Sequence, residues 1–262
     1  MKQITSADNA YFKQLQKLAH SSRERRLEGL SLLDGVHLLQ AYLAHGGVPQ
    51  RVLLSDTGAR NAQILAALKG FESLDVMQFT DALFSQLSSV ATPTGVITVI
   101  KTPRLETPPA VLETCVMLED VQDPGNIGSI LRSCAAAGVR QVFLSKASAN
   151  AWSPRVLRAA MGAHFSTTVY ERMDLQALAQ RFPGQVLVTR QNVSRTIYAA
   201  NLTGDIAFIF GNEGAGVSKA LAHWAHGAVC IPMLGETESL NVAASAAVCL
   251  FERVRQLRHV KN

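Results

Sequence analysis

The chain has 262 residues, 48% of them hydrophobic, and a formal net charge of +5. That length suits one large domain or two small ones, and that apolar share builds a real core and excludes wholesale disorder. No run of 18 or more apolar residues occurs, and the opening MKQITSADNAYFKQL lacks the apolar centre of a signal peptide, so the expectation is a cytosolic protein with no membrane span.

In chain order, residues 8–20 read as a helix, followed by a basic turn carrying Arg23, Arg25 and Arg26. Residues 31–45 lead from a short strand into an amphipathic helix. A strand is expected at 51–56, a helix at 60–69, a strand at 76–79, a helix at 80–88 and a closing strand in GVITVI. The first part is therefore α/β. KTPRLETPP, with three prolines among charges, suits a linker, and the boundary falls near residue 107. The predicted domains are 1–106 and 107–262.

The second part alternates more regularly. Short apolar runs stand at 115–119, 141–145, 186–189, 206–210 and 228–232, and helical patterns at about 126–137, 153–161, 173–182, 216–224 and 240–258. Continuous apolar strands alternating with helices imply a parallel sheet covered on both faces. In such sheets ligands bind beyond the carboxyl ends of the strands, so the residues just past each strand are the candidates for a site.

After the first strand, Asp123-Pro124-Gly125-Asn126 is turn chemistry. In the helix beyond it Ile127, Ile130, Leu131, Cys134 and Ala135 share one face. Arg132 lies off that stripe, beside Gly128 and Ser129. It is either a surface arginine or a cation with room for a phosphate. After the fourth strand, GNEGAGVSKAL places glycines at 211, 214 and 216, which permit a tight turn or close approach to a ligand. Their spacing is not that of the dinucleotide fingerprint, and Glu213 among them is a poor neighbour for a phosphate. After the fifth, Ser239 can cap a helix, and Asn241 just inside it has no such simple purpose. That helix has no polar face in its first three turns, which predicts burial on all sides and hence contact with a second subunit.

Basic residues gather again at Arg253, Arg255, Arg258 and Lys261. A mild basic excess is compatible with a polyanionic partner. The four cysteines, Cys115, Cys134, Cys230 and Cys249, form no C-x-x-C pair and sit in apolar patterns, which predicts buried reduced thiols. No cluster of His or Cys has metal-ligand spacing, so no metal is expected.

DPGNIGSILRSCAAAGV, IFGNEGAGVS and IPMLGETESLNVAASAA, in that order, resemble the three motifs of the SpoU family of RNA 2′-O-ribose methyltransferases within the SPOUT class. The resemblance covers nearly all of residues 112–260. LLDGVHLLQAYLAHG, RVLLSD and SSVATPTGVITVI are similar to the family's substrate-binding domain, of the ribosomal L30e type. The arrangement looks like that of enzymes acting on 23S ribosomal RNA, including the thiostrepton-resistance branch. Some relatives modify tRNA, and a non-catalytic RNA-binding protein on the same fold is a rival. The resemblance implies a trefoil knot near the C-terminus, S-adenosylmethionine as cofactor, and a homodimer with composite active sites. It implies that Gly211, Ile231 and Leu240 contact the methyl donor, largely through backbone, and that Met233 lines the adenine pocket. It matches Asn126, Arg132, Glu213, Ser239 and Asn241 to the family's functional polar positions. One departure is Ala243, where the family often has Ser.

The implied reaction joins a methyl group to a ribose 2′-hydroxyl, a weak nucleophile that must be aligned and deprotonated. The three motifs contain no His. A guanidinium is very hard to deprotonate, so Arg132 is expected to bind the adjacent phosphate and stabilise the developing alkoxide rather than act as base. Asn126 is expected to orient Arg132 or the ribose, Glu213 to fix the arginine or a loop, and Ser239 to act near the reaction centre while capping its helix. Arg23, Arg25 and Arg26 are candidate phosphate contacts for the RNA.

Overall fold

A computed structural model describes residues 2–71, 73–191 and 193–259. Lys261 of the second basic group lies outside them. The chain forms two compact units, one of Met1–Arg104 with Trp152–Phe165, the other of Leu105–Ala151 with Ser166–Asn262. Residues 152–165, expected in the second domain, cluster with the first unit instead.

The first unit runs β1 (Lys2–Ile4), α1 (Ala10–His20), α2 (Ser22–Glu28), β2 (Leu30–Asp34), α3 (Val36–Ala44), β3 (Arg51–Ser55), α4 (Ala62–Leu68), β4 (Val76–Phe79), α5 (Asp81–Ser85) and β5 (Val96–Lys101). Its mixed sheet has the order β1-β4-β3-β5-β2, parallel from β1 to β3 and antiparallel across β5 to β2. Side chains alternate across it as the strand period requires. Leu53, Ile97 and Val99 join Phe12, Leu15 and Leu18 of α1 on one face. Val52, Leu54 and Val96 join Leu39 of α3 and Ile64 of α4 on the other.

The expected basic turn is a helix. Ser21 caps α2 through the Glu24 N–H, and Gly29 ends it in the left-handed region at φ 66°. Arg25 is buried, and its Nη1 donates to the carbonyls of Leu18 at 2.7 Å and Ala19 at 3.3 Å. It satisfies the free carbonyls at the end of α1 and is unavailable as a phosphate contact. Arg23 and Arg26 are exposed.

The second stretch of chain carries β6 (Cys115–Leu118), α6 (Pro124–Ala136), β7 (Gln141–Leu144), α7 (Pro154–Ala160), β8 (Thr168–Tyr170), α8 (Leu175–Arg181), β9 (Gln185–Thr189), β10 (Ile206–Phe210), α9 (Lys219–Ala222), β11 (Gly227–Val229) and α10 (Val242–His259). The second unit's six strands are all parallel, in the order β11-β9-β10-β6-β7-β8. Cys115, Met117, Phe143, Val186, Val188, Ala207 and Ile209 pack on one face with α8. α6 packs against α10. The parallel sheet and five of its strands are those expected from the sequence. β8, three residues long, is additional to them. The last strand is shorter than expected, because Cys230 leaves the sheet edge for residues 195–197: its N–H donates to the Arg195 carbonyl and its own carbonyl accepts from Ile197.

Cys115, Cys134 and Cys249 are buried free thiols, and burial holds the first two well above the usual thiol range and pushes Cys249 up to about 12. Cys230 is only half-buried. α10 is not enclosed on all sides in the single chain. Ala246, Cys249, Leu250 and Glu252 are buried, whereas Ala244 is exposed and Phe251 is 49% exposed. No helix among the described residues is long and apolar enough to cross a membrane.

Candidate active site

The three motif segments stand beyond the carboxyl ends of β6, β10 and β11. Following β6, Asp123 caps α6 by accepting the Asn126 N–H at 2.9 Å, with Pro124 at the first helical position, where no donor is needed. This cap holds Asn126 in the first turn of the helix with only 9% of its surface exposed.

A buried amide needs partners at both ends. Asn126 Nδ2 donates to Glu213 Oε1 at 2.8 Å, and Asn126 Oδ1 accepts from Asn241 Nδ2 at 2.8 Å. One side chain of the first motif thereby binds one side chain from each of the other two. Glu213 also receives the backbone N–H groups of Asp123 at 3.2 Å and Gln122 at 3.4 Å. Partial burial alone would raise its pKa, but the Asn126 amide and these backbone donors outweigh it and hold the carboxyl below its ordinary value. Glu213 is therefore a weak base that stays ionised and ties the β10 loop to the start of α6.

Asn241 carries out two tasks. Its Oδ1 accepts the N–H groups of Ala243 at 2.8 Å and Ala244 at 3.4 Å, and its carbonyl accepts from Ser245 at 2.9 Å. Asn241, not Ser239, caps α10. Ser239 lies two residues upstream, exposed, with no hydrogen-bond partner among the described residues. The Arg132 side chain is exposed on α6, likewise without a hydrogen bond or ion pair among them. The expected orientation of Arg132 by Asn126 or Glu213 is thus absent: Asn126, Glu213 and Asn241 are brought together, and Arg132 and Ser239 are not joined to them.

Gly211 is buried at the end of β10. A Cβ there would lie 2.1 Å from the carbonyl carbon of Gly216, so only glycine fits. The close approach follows from Asn212, whose N–H and carbonyl pair with Gly216 and whose Oδ1 accepts from Gly214 and Ala215. Asn212 is not among the residues the sequence singles out. The signal available for it is an Asn inside a glycine-rich turn, where such side chains bond nearby backbone. Ile231 and Met233 are half-buried after β11, and Leu240, next to the Asn241 cap, is 39% exposed. These apolar surfaces left open beside a polar junction suit a ligand with both apolar and polar parts. Among the described residues no group of three or more His, Cys, Asp or Glu could hold a metal ion.

Residues 113–251 match the model of the SpoU rRNA Methylase family, and residues 9–98 that of the MRM3-like substrate binding domain. The chain is 31% identical over 257 residues to the 23S rRNA (guanosine(2553)-2′-O)-methyltransferase RlmP of Bacillus subtilis, covering 96% of this chain and 98% of that one. Among solved structures, the SpoU methyltransferase AviRb from Streptomyces viridochromogenes superposes with a TM-score of 0.85 at 25% identity, over 96% of this chain and 99% of its own. The AdoMet-bound rRNA methyltransferase from Sinorhizobium meliloti does so with a TM-score of 0.83 at 25% identity, over 98% of each chain. With its motif segments joined at Asn126 and its sequence matched over more than half its length, the chain belongs to the SpoU rRNA methylase family.

Proposed function

We propose that this protein methylates a ribose 2′-hydroxyl of 23S ribosomal RNA, using S-adenosylmethionine. The observation that carries the reading is the Asn241–Asn126–Glu213 chain of hydrogen bonds, which assembles the three motifs at the strand ends. The likeness to RlmP, whose name specifies a 23S guanosine 2′-oxygen, favours ribosomal RNA over tRNA and over a non-catalytic role. Gly211, Ile231 and Leu240 would hold the cofactor, with Met233 against the adenine; the open apolar surfaces of Ile231, Met233 and Leu240 fit its nucleoside. When bound, S-adenosylmethionine would supply an activated methyl group to the 2′-oxygen, with S-adenosylhomocysteine leaving as the neutral thioether and the hydroxyl proton passing to water. Arg132, exposed and without a side-chain partner among the described residues, would bind the phosphate beside the target ribose and stabilise the developing alkoxide. Ser239, also exposed, would contact the reacting ribose. Asn126, Glu213 and Asn241 hold the loops that present these groups.

Residues 1–106 would form the L30e-like substrate-binding domain, with Arg23 and Arg26 as phosphate contacts, and residues 107–262, apart from the segment 152–165 that clusters with the first unit, the methyltransferase domain. The chain beyond Cys230, leaving beside residues 195–197 and reaching α6 at Asn126, would make the trefoil knot. The open stripe of Leu240, Ala244 and Phe251 would meet a second copy and complete composite active sites, and Phe251→Asp should shift the protein towards monomer in sedimentation. The enzyme would act in the cytoplasm.

The test is to map 2′-O-methyl groups in ribosomal RNA and tRNA from cells with and without the gene, and to restore the missing one with purified protein and S-adenosylmethionine. One ribosomal 2′-O-methyl should disappear and return. Unchanged maps in both RNAs overturn the proposal.

A further inference from the structure

Glu119 lies at the end of β6, outside the five polar residues assigned above. Its backbone N–H donates to the carbonyl of Phe210, the last residue of β10, at 2.9 Å. Its carboxylate accepts the N–H of Ser218 at Oε2 and the hydroxyl of Ser218 at Oε1, both at 2.7 Å. Phe210 and Ser218 flank the glycine loop of residues 211–217, so one residue holds both ends of that loop. Ser218 Oγ also accepts the Leu221 N–H at 3.1 Å and caps α9, which sets where the loop stops.

The next residue supplies a third anchor. Asp120 has φ 54°, a left-handed conformation that costs a non-glycine residue energy and persists only where its surroundings hold it. Ser145 does so: its Oγ accepts the Asp120 N–H at 2.8 Å and donates to Asp120 Oδ1 at 2.5 Å. In this conformation the Asp120 carbonyl accepts Asn212 Nδ2 at 2.9 Å. Glu119 makes no ion pair among the described residues; its charge is met by Ser218. Bonds of this length to a carboxylate are among the stronger kind.

We propose that Glu119 is a positioning residue for the methyl donor: by clamping Ser218 against the end of β6 it closes the glycine loop over Gly211 and sets donor affinity rather than the rate of transfer. This rests on the assignment of Gly211 to the cofactor. Glu119→Ala removes both bonds to Ser218, and the loop would have to be ordered by the donor itself. Glu119→Gln keeps an acceptor for the Ser218 N–H and offers an N–H to the Ser218 oxygen, so it should largely rescue.

The experiment is calorimetric titration of the full chain with S-adenosylmethionine, together with steady-state methylation of undermodified ribosomal RNA and amide hydrogen exchange without ligand. Glu119→Ala should raise the donor Kd and KM about tenfold or more, with kcat at saturating donor and the KM for RNA changed less than about threefold. Glu119→Gln should stay within about threefold of the parent Kd. Exchange at residues 214–218 should quicken in the Ala variant. Should Glu119→Ala not fold, Glu119→Asp compared with Ser218→Ala and their double variant carries the test: Asp is one methylene short of Ser218 and should weaken donor binding, and the two effects should be non-additive, since both act on one contact. An unchanged donor Kd in Glu119→Ala, equal damage from Ala and Gln, or additive effects with Ser218→Ala overturn the proposal. A parent protein that binds no S-adenosylmethionine overturns the cofactor assignment instead, and exchange at 214–218 still reports whether Glu119 orders the loop.

Discussion

Replacing Asn126 by Asp puts a carboxylate oxygen where Nδ2 now stands, 2.8 Å from Glu213 Oε1. Two carboxylates this close cannot both ionise freely; they titrate as a pair, and the higher of the two pKa values rises above that of the unfolded chain. With the charges about 4 Å apart, the repulsion is about 4 kcal/mol at an effective dielectric of about 20. Glu213 is exposed, so screening reduces this to about 2 kcal/mol. In the parent protein Glu213 is held below its ordinary value, so its contribution to stability is present above the unfolded pKa and fades as pH falls through the folded one. In the variant the raised carboxyl works in the opposite sense: it takes up a proton on folding, and its contribution is present at low pH and lost as pH rises. Near pH 5 a shared proton bridges the two oxygens, and the variant should lie within about 1 kcal/mol of the parent. Near pH 8 it should be about 2 kcal/mol less stable, or about 4–8 °C in Tm for a chain of this size. Thermal unfolding followed by circular dichroism at both pH values measures the difference. Equal destabilisation at the two pH values, or none at pH 8, would refute the 126–213 contact and the electrostatic reasoning built on it.

Arg25→Ala should cost about 1–3 kcal/mol of stability by removing the cap on the Leu18 and Ala19 carbonyls, read by urea unfolding. Arg26→Ala should leave stability unchanged, weaken RNA binding and reduce the salt slope of the binding constant by about 1. Gly211→Ala should abolish S-adenosylmethionine binding in calorimetry, because the new methyl has no room against Gly216. Asn241→Ala should lose about 1 kcal/mol of helix capping, seen as faster amide exchange at the start of α10, whereas Ser239→Ala should leave that exchange unchanged and lower the rate of methylation.

Much of the second unit is legible in the sequence because its physics is local. A parallel strand covered on both faces has to be apolar throughout, and IAFIF can be little else. Prolines and cap residues mark where helices begin, as Asp123-Pro124 does. The short β1 and β8 are not legible, since three residues carry no period; they are strands because β4 and β7 offer edges to pair with. Spacing puts Arg25 among exposed arginines, and only the arrival of α1's last carbonyls beside it takes it out of solvent. The exposed stripe on α10 departs from expectation for a related reason: composition reports how apolar a helix is, not how many neighbours one chain supplies.

Sequence alone determined the α/β alternation, the parallel sheet, the place of the three motifs after their strands and the family they resemble, because periodicity and short-range order are written in neighbouring residues. Tertiary structure decided which polar residues meet. Asn126 and Asn241 are 115 positions apart, Asn126 and Glu213 are 87 apart, and Glu119 and Ser218 are 99 apart. No local pattern encodes those pairings; they exist because β10, β6 and the segment before α10 end side by side. The same packing leaves the side chains of Arg132 and Ser239 exposed, without partners among the described residues.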